Sequence, residues 1–277
     1  MTEDNQLKKP NSRRNLDFAL ERLYGRDELP AKRAIMANAV VAQMLPDGSV
    51  KGGSAIKMRL GDSITRYTTD LDVARASTID TFSLELEATL ERGWEGFTGA
   101  LVEGRQAHPE GVPNAYIMQP FKVKLAYNTK PWVTVDLEVG HNEIGDAEEP
   151  DFVVPEDANA ILGALGFPSI GPVPVMPLKH QIAQKLHAVS TPGSARAHDL
   201  IDLQLIDAAY AGDYADVKAT CERLFAYRKM QAWPPTISIG PGWEDRYAAQ
   251  LPKGNLLPTA SDAVAWASGL IDLINAS

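Results

Sequence analysis

The spacing of apolar residues divides the chain into a helical beginning, a middle with strand character and a helical end. Over several stretches these residues recur at intervals of three and four, which is typical of amphipathic helices. In the first part the predicted helices span 16–24, 30–45, 54–60, 80–92 and 157–165. In the last part they span 178–189, 196–211, 214–230 and 261–274.

Strict alternation of apolar and polar residues over WVTVDLEV at 132–139 predicts a strand with two distinct faces. Its core-facing residues are Val133, Val135, Leu137 and Val139, and its polar residues are Thr134, Asp136 and Glu138. Further strands are expected at 71–75, 97–102 and 115–127, and residues 128–131 suit a hairpin turn. Alternation does not fix the hairpin register, so whether Lys122 or Lys124 lies beside Asp136 stays open.

A turn-rich stretch, GFPSIGPVPVMP at 166–177, separates the mixed part of the chain from the helical end. Residues 140–156 before it are acidic and predicted to form a loop. We therefore expect an α+β, bilobal protein. Its first domain, residues 1–170, is a lobe with a small mixed sheet flanked by helices, and its second, residues 171–277, is all-helical.

Charge and cysteine content narrow the function classes. The 277 residues carry a formal net charge of −9, which argues against a general nucleic-acid coat protein. The single cysteine, Cys221, excludes an internal disulfide framework and a cysteine-based zinc cluster. The polar start of the chain and the lack of about 18 consecutive apolar residues predict a cytoplasmic protein with no membrane partner.

The segment Asp70-Leu71-Asp72 is the strongest chemical signal. In an extended segment both carboxylates emerge on the same face. Two adjacent acids repel each other unless a positive group lies between them, and Mg²⁺ is commonly held by one or two carboxylates together with substrate phosphates. We expect Asp70 and Asp72 to bind a divalent metal ion that accompanies a nucleoside triphosphate.

Asp136 is a candidate third metal ligand, because carboxylates on adjacent strands bridge the cations in two-metal phosphoryl transfer. A solvated strand residue beside Glu138 would show the same alternation, so this alternative stays open.

A Gly52-Gly53-Ser54 turn precedes the acids and opens a predicted helix. Glycines allow close backbone approach, and the free N–H groups of a helix start can bind phosphate. Lys57 follows one turn later. The turn is not a Walker A motif, since the G-x-x-x-x-G-K-[ST] spacing is absent.

These motifs occur in an order that resembles one family. Gly-Gly-Ser, Arg66-x-Thr68-x-Asp70-x-Asp72, a strand aspartate, QKLHA at 184–188 and AHDLIDL at 197–203 together resemble the AbiEii/MenT nucleotidyltransferase-like toxins of the DNA polymerase β-type superfamily. The resemblance covers roughly residues 30–210. Where the family usually has Arg-Asp, this chain has His198-Asp199, and Arg196 is a candidate for the missing guanidinium.

The resemblance implies a nucleotidyltransferase that uses Mg²⁺ or Mn²⁺ and an NTP. It implies metal binding and catalysis by Asp70 and Asp72, a phosphate contact from Gly53 and Ser54, and catalytic roles for Lys185 and Asp199; we add Lys57 and Arg66 as expected nucleotide contacts. The implied partners are an RNA acceptor, in several family members the 3′ end of tRNA, and a cognate antitoxin. Helical spacing independently puts Lys185 on one helix surface and Asp199 with Asp202 on another.

Two other functions compete with this one. His187, His198-Asp199 and Asp202 loosely resemble the metal ligands of HD-type phosphohydrolases. Alternatively, the fold is a catalytically silent module that binds an antitoxin or RNA. The lone His108 and the five tryptophans receive no role.

Overall fold

The computed structural model of the protein describes residues 8–107 and 117–277. His108 and the first two residues of the strand expected at 115–127 lie outside these ranges. The described residues form two compact units. The first contains the chain up to Gly61, then Thr68–Asn142 and Pro150–Val175. The second contains Asp62–Tyr67, Glu143–Glu149 and Met176–Ser277.

The first unit alternates helices and strands. Its helices are α1 (Arg13–Tyr24), α2 (Leu29–Ala42), α3 (Gly52–Leu60), α4 (Ile79–Arg92) and α5 (Glu156–Ala164). Its strands are β1 (Ser49–Lys51), β2 (Leu71–Ala74), β3 (Phe97–Glu103), β4 (Gln119–Tyr127), β5 (Lys130–Gly140), β6 (Asp151–Val153) and β7 (Val173–Val175).

These strands form one mixed sheet in the order β3-β4-β5-β2-β1-β7-β6. Two pairs are parallel, β2 with β5 and β1 with β7, and the other pairs are antiparallel. One face of the sheet packs on the core. There, apolar residues of β2 and β5 such as Leu71 and Leu137 meet apolar residues of the helices such as Leu20, Met36 and Leu86. Alternation therefore turns the polar residues of β2 and β5 to the other face.

The second unit is helical in its main segment. Its helices are α6 (Leu178–Ser190), α7 (Asp199–Ala209), α8 (Tyr214–Arg228), α9 (Trp243–Ala248) and α10 (Ala260–Ala276). Helix α6 packs against α7 and α8, and α10 packs against α7, α8 and α9. Buried apolar side chains such as Leu186, Ile201, Leu224 and Ile271 fill the space between them. No helix among the residues the structure covers is long and apolar enough to cross a membrane.

The mixed fold expected from the sequence is confirmed, with differences at short elements. The acidic stretch 140–156 contains the edge strand β6, and the turn-rich stretch contains β7, so the first unit extends to Val175 beyond the expected boundary at residue 170. The six-residue helix α9 was not expected. Helix α4 is capped by Thr78, which accepts a hydrogen bond from the Thr81 N–H, and Asp80 lies inside the first turn.

Candidate functional site

The acidic residues of the first unit lie on the polar face of the sheet, where β1, β2 and β5 run side by side. Asp72 pairs in register with Lys51 on β1 and with Glu138 on β5. Residues paired in this way project from the same face. Asp70 lies just before β2 and is exposed. We call Asp70, Asp72 and Glu138 the acidic cluster.

The charges of Asp70 and Asp72 act on Glu138. Burial raises the pKa of Glu138, and the charges of Asp72 and Asp70 raise it further, whereas the charge of Lys51 lowers it. Nearby like charges raise the pKa of a carboxyl because they disfavour its charged form. Sequence reasoning missed Glu138 as the close neighbour of Asp72, because alternation assigned it to the same face as Asp136 without giving a register.

The segment that carries the acids is fixed by hydrogen bonds to its backbone. Asn38 Nδ2 donates to the Thr69 carbonyl at 3.0 Å. Ser54 Oγ donates to the carbonyl of Asp70. The Ser54 side chain is buried, so the contact that the structure gives it is to the acidic segment. A phosphate contact for Ser54 and Gly53 stays a prediction.

Gly52 explains how β1 and the start of α3 approach the acids. Its φ is +64°, a left-handed conformation that favours glycine. A Cβ atom at this position would lie 2.3 Å from Asp72 Oδ2, so the carboxylate occupies the space that a side chain would fill. This contact places the Asp72 carboxylate beside the N-terminus of α3, because Gly52 is the first residue of that helix. The first N–H groups of a helix lack partners within the helix. Lys57, also expected to contact nucleotide, lies half-buried further along α3.

Asp136 has a different neighbour from the other acids. The hairpin register pairs it with Lys122, and Lys122 Nζ lies 2.6 Å from Asp136 Oδ1. This contact settles the register that the sequence left open. Both side chains are 57% exposed, so the pair is a surface ion pair. The assignment of Asp136 as a metal ligand stays a prediction.

A divalent cation fits the chemistry of the acidic cluster. Carboxylate oxygens are the ligands that Mg²⁺ and Mn²⁺ prefer, and the space above Gly52 lets Asp72 reach the helix start. Among the described residues, no group of three or more His, Cys, Asp or Glu side chains is placed to hold a metal ion. Neither Asp136 nor Glu138 therefore completes a preassembled three-ligand site with Asp70 and Asp72, and phosphate and water would complete the coordination.

Five charged residues of the second unit form an ion network around two buried carboxylates. We call it the buried ion network, and its members are Arg66, Lys185, Arg196, Asp199 and Asp202, of which Arg196 is 53% exposed. Lys185 Nζ on α6 donates to Asp199 Oδ1 at 2.8 Å and to Asp202 Oδ2 at 2.6 Å, both on α7. The side chains of Lys185, Asp199 and Asp202 are 7%, 0% and 1% exposed. Lys185 is therefore not part of a surface pair.

Two arginines complete the network. Arg66 grips Asp202 through two nitrogens, with Nε 3.0 Å from Oδ1 and Nη2 3.1 Å from Oδ2. Arg196 Nε contacts Asp199 Oδ2, and Arg196 Nη2 lies 3.3 Å from Asp199 Oδ1. Arg196 thus supplies Asp199 with a guanidinium, as the sequence suggested. Arg66, expected to contact nucleotide, is bound in the structure by a buried carboxylate, and its contact with a nucleotide stays a prediction.

The network keeps its members charged despite their burial. Burial by itself lowers the pKa of Lys185, but Asp199 and Asp202 raise it above its ordinary value. Burial by itself raises the pKa of Asp199, yet Lys185 and Arg196 hold it well below its usual range. Both aspartates also lie in the first turn of α7, where the helix dipole favours negative charge.

The histidines do not support the metal site of an HD-type phosphohydrolase. His187 Nδ1 lies 3.3 Å from Arg228 Nη1, and its ring packs edge-on against Phe225. Burial and the Arg228 charge lower the pKa of His187 to about 4. His198 Nε2 lies 3.7 Å from Asp199 Oδ1, and burial lowers its pKa as well. A cation beside His187 disfavours a bound metal there.

Comparisons with known proteins point to one activity. Residues 35–267 match the family described as nucleotidyl transferase AbiEii toxin, type IV TA system. Among solved structures, MenT4, a nucleotidyltransferase toxin of Mycobacterium tuberculosis H37Rv, is similar, with a TM-score of 0.50 and 16% identity over 94% of this chain and 98% of that chain. JHP933 of Helicobacter pylori has a TM-score of 0.45 and 16% identity over 90% of this chain and 92% of that chain. None of the curated proteins matches significantly. At such identities, structural likeness shows the fold alone.

Proposed function

Since the chain belongs to the AbiEii family of nucleotidyltransferase toxins from type IV toxin–antitoxin systems, we propose that it transfers a nucleoside monophosphate from an NTP to a hydroxyl group of RNA, with Mg²⁺ or Mn²⁺ as cofactor. The 3′ end of tRNA is the acceptor we favour, by resemblance to the family. A cognate antitoxin would neutralise the activity. Such a reaction belongs in the cytoplasm, where NTPs and RNA are found.

The observation that carries this proposal is the acidic cluster beside the start of α3. Asp72 pairs in register with Glu138, and its carboxylate fills the space above Gly52. A cluster of carboxylates next to the N–H groups of a helix start suits a triphosphate and its accompanying cation together. Neighbouring carboxylates repel each other, so a cation bound among them would relieve that repulsion.

In the proposed reaction the acceptor hydroxyl oxygen forms a bond to the α-phosphorus of the NTP. The bond between that phosphorus and the oxygen bridging to the β-phosphate breaks, and pyrophosphate leaves. The hydroxyl proton passes to a base. When bound, the divalent cation would supply charge stabilisation for the attacking and leaving oxygens.

Residues of the first unit would bind the cation and the phosphates. Asp70 and Asp72 would hold the cation, and the hydrogen bonds from Ser54 and Asn38 to the segment would fix where they point. Gly53 and Lys57 would contact the phosphates through a backbone N–H and an ammonium group. Between the two candidates for a third acid, Glu138 is favoured over Asp136, since Asp136 is paired with Lys122.

Lys185 and Asp199 are proposed to be required for transfer, as the family resemblance implies. The burial of both side chains suggests that they act first by holding α6 and α7 in a fixed arrangement. Their substitution is expected to affect folding as well as activity, so it does not test the reaction cleanly.

The decisive experiment incubates the purified protein with total cellular RNA and each of the four NTPs labelled at the α-phosphate. Label is expected in one RNA class at one end, and chelation of divalent ions should remove it. Asp70→Asn and Asp72→Asn should abolish incorporation. Asp272→Asn, an exposed aspartate on α10, is the matched control and should retain full activity.

Failure to label any RNA, together with calorimetry that shows no NTP binding, would overturn the proposal and favour a silent binding module. Release of inorganic phosphate from phosphate esters, with no transfer, would instead favour a phosphohydrolase.

A further inference from the structure

We propose that Lys51 is a built-in counter-cation of the acidic cluster, which competes with the divalent cation and thereby sets the protein's metal affinity. The inference rests on the proposed function in one respect: it takes Asp72 to be a metal ligand. Lys51 is a positioning residue in this scheme, because it acts on the carboxylates and not on the reacting atoms.

Strand register places Lys51 among the acids. In the antiparallel pair of β1 and β2, Lys51 lies opposite Asp72, and in the parallel pair of β2 and β5, Asp72 lies beside Glu138. Because residues paired in register project from the same face, Lys51, Asp72 and Glu138 form a row across three neighbouring strands. The row contains one cation and two acids, with the third acid, Asp70, two residues before Asp72.

The ammonium group of Lys51 lies next to Gly140, at the end of β5. A Cβ atom built on Gly140 would lie 2.9 Å from Lys51 Nζ and 3.7 Å from its Cε. The lysine therefore extends from β1 past the central strand β2 and ends above β5. Glycine in a strand often marks a place where another group approaches closely. At Gly140 that group is the ammonium end of Lys51.

This route brings a permanent positive charge to the face on which the metal ion would bind. In the metal-free protein the ammonium offsets part of the repulsion among the carboxylates. A divalent cation arriving at the same carboxylates meets that charge and is repelled by it. Lys51 would thus stabilise the cluster without metal and weaken metal binding.

A different role for Lys51 makes the opposite prediction. If the lysine only bound the triphosphate, its removal would weaken NTP binding and leave the affinity for metal alone unchanged. Metal binding measured without nucleotide therefore separates the two roles.

The experiment titrates Mn²⁺ into the full-length protein by calorimetry, with no nucleotide present. Lys51→Met is expected to bind Mn²⁺ about 5- to 10-fold more tightly than the wild type, the size expected for removing one like charge on the face where a divalent ion binds near the surface. Lys124→Met is the control, since Lys124 is an exposed lysine on β4 that pairs with Thr134, away from the acidic cluster. Its affinity should match the wild type. Equal or weaker Mn²⁺ binding by Lys51→Met would overturn the proposal.

Gly140→Ala tests the geometry without changing any charge. The added Cβ would displace the flexible end of Lys51, while its other near neighbour, the Val73 carbonyl oxygen, would lie at an ordinary 3.7 Å. We expect Mn²⁺ binding tighter than in the wild type and weaker than in Lys51→Met. In the Lys51→Met background, Gly140→Ala should have no further effect. A persistent effect there would contradict the proposed contact.

Asp72→Asn distinguishes failure of this inference from failure of the proposed function. Mn²⁺ binding that disappears with Asp72→Asn but is equal in the wild type and Lys51→Met would overturn only the role of Lys51. No Mn²⁺ binding by any of the proteins would overturn this inference, whereas the metal site of the proposed function would be overturned only if Mn²⁺ also failed to bind with an NTP present.

Discussion

The acidic cluster and the buried ion network both gather carboxylates, but they neutralise them in different ways. In the network, Asp199 and Asp202 are fully buried, and Lys185, Arg66 and Arg196 contact them directly. In the cluster, Asp70 is exposed, and the carboxylates raise the pKa of Glu138 instead of being fully compensated. The acids of the network are paired with cations inside the protein, whereas the acids of the cluster raise the pKa of their neighbour Glu138.

This difference separates a structural role from a binding role by physical criteria. In a buried ion network, removing one partner destabilises the fold strongly, because it leaves an uncompensated buried charge. A partly solvated group of like charges costs stability, and a ligand that neutralises it recovers that cost. Substitutions in the network should therefore lower stability, and transfer with it, whereas substitutions in the acidic cluster should lower transfer and leave stability equal or higher.

The largest expected effect is on activity in the acidic cluster. Asp72→Asn should lower transfer of label from an NTP by about 100- to 1000-fold, because charge stabilisation by a bound metal is worth several kcal/mol. Its free energy of unfolding without metal should stay equal or rise, since one repelling charge is removed. Initial rates and urea unfolding curves measure the two quantities. A variant that keeps wild-type transfer would contradict the assignment.

The next largest effect is on stability in the buried ion network. Asp199→Ala should lower the free energy of unfolding by about 3–5 kcal/mol, because it leaves Lys185 buried with one fewer partner. Urea unfolding of the variant beside Asp272→Asn checks this. If Asp199→Ala instead keeps wild-type stability and loses only transfer, the network belongs with the acidic cluster as catalytic machinery.

Two buried histidines of the second unit, outside the ion network, and Glu138 of the acidic cluster should also change stability with opposite signs in acid. Burial lowers the pKa of both His180 and His187 in the second unit to about 4. Each histidine contributes stability that is present above its ordinary pKa of about 6.5 and is lost as the pH falls toward 4. The raised pKa of Glu138 has the opposite effect, because the protein gains stability as the pH falls from that raised pKa to the ordinary value of the carboxyl. Thermal unfolding between pH 7.5 and pH 4.5 should show the histidine loss. His180→Gln combined with His187→Gln should flatten the curve, and an unchanged slope would refute the assignment.

The smallest effect is expected at the exposed pair of Lys122 and Asp136. Asp136→Asn should change the free energy of unfolding by about 0–1 kcal/mol, as for other solvent-exposed ion pairs. Its transfer rate should fall less than that of Glu138→Gln, measured side by side. A loss in Asp136→Asn as large as in Asp72→Asn would instead establish Asp136 as the metal ligand that the strand pattern predicts.

The sequence predicted features that depend on neighbouring residues along the chain better than features that depend on distant segments. Alternation in β5 predicted which residues face the core, because the period of two is a local property of a strand. It could not tell that Glu138 lies beside Asp72, since register depends on which strand becomes the neighbour. The three-residue strands β1, β6 and β7 escaped prediction because they are too short to show a period, and Pro174 interrupts β7.

The candidate site shows the same limit. The Asp70-x-Asp72 spacing was enough to predict paired carboxylates, but nothing near Lys51 in the sequence shows that its side chain ends above Gly140, 89 positions away along the chain. Similarly, helical spacing predicted that Asp199 and Asp202 share a surface, and it could not predict that this surface is buried against Lys185.

Arg66 belongs to the second unit, although it lies early in the sequence. This position determines whether the helical unit can be produced as a separate fragment. The helical unit takes residues 62–67 and 143–149 from within the first part of the sequence, and Arg66 in the earlier segment grips the buried Asp202. A polypeptide that begins at Met176 would lack both segments and leave Asp202 without its guanidinium. The turn-rich stretch at 166–177 is the domain boundary that the sequence predicts. We conclude that a cut there would yield an incomplete helical fragment.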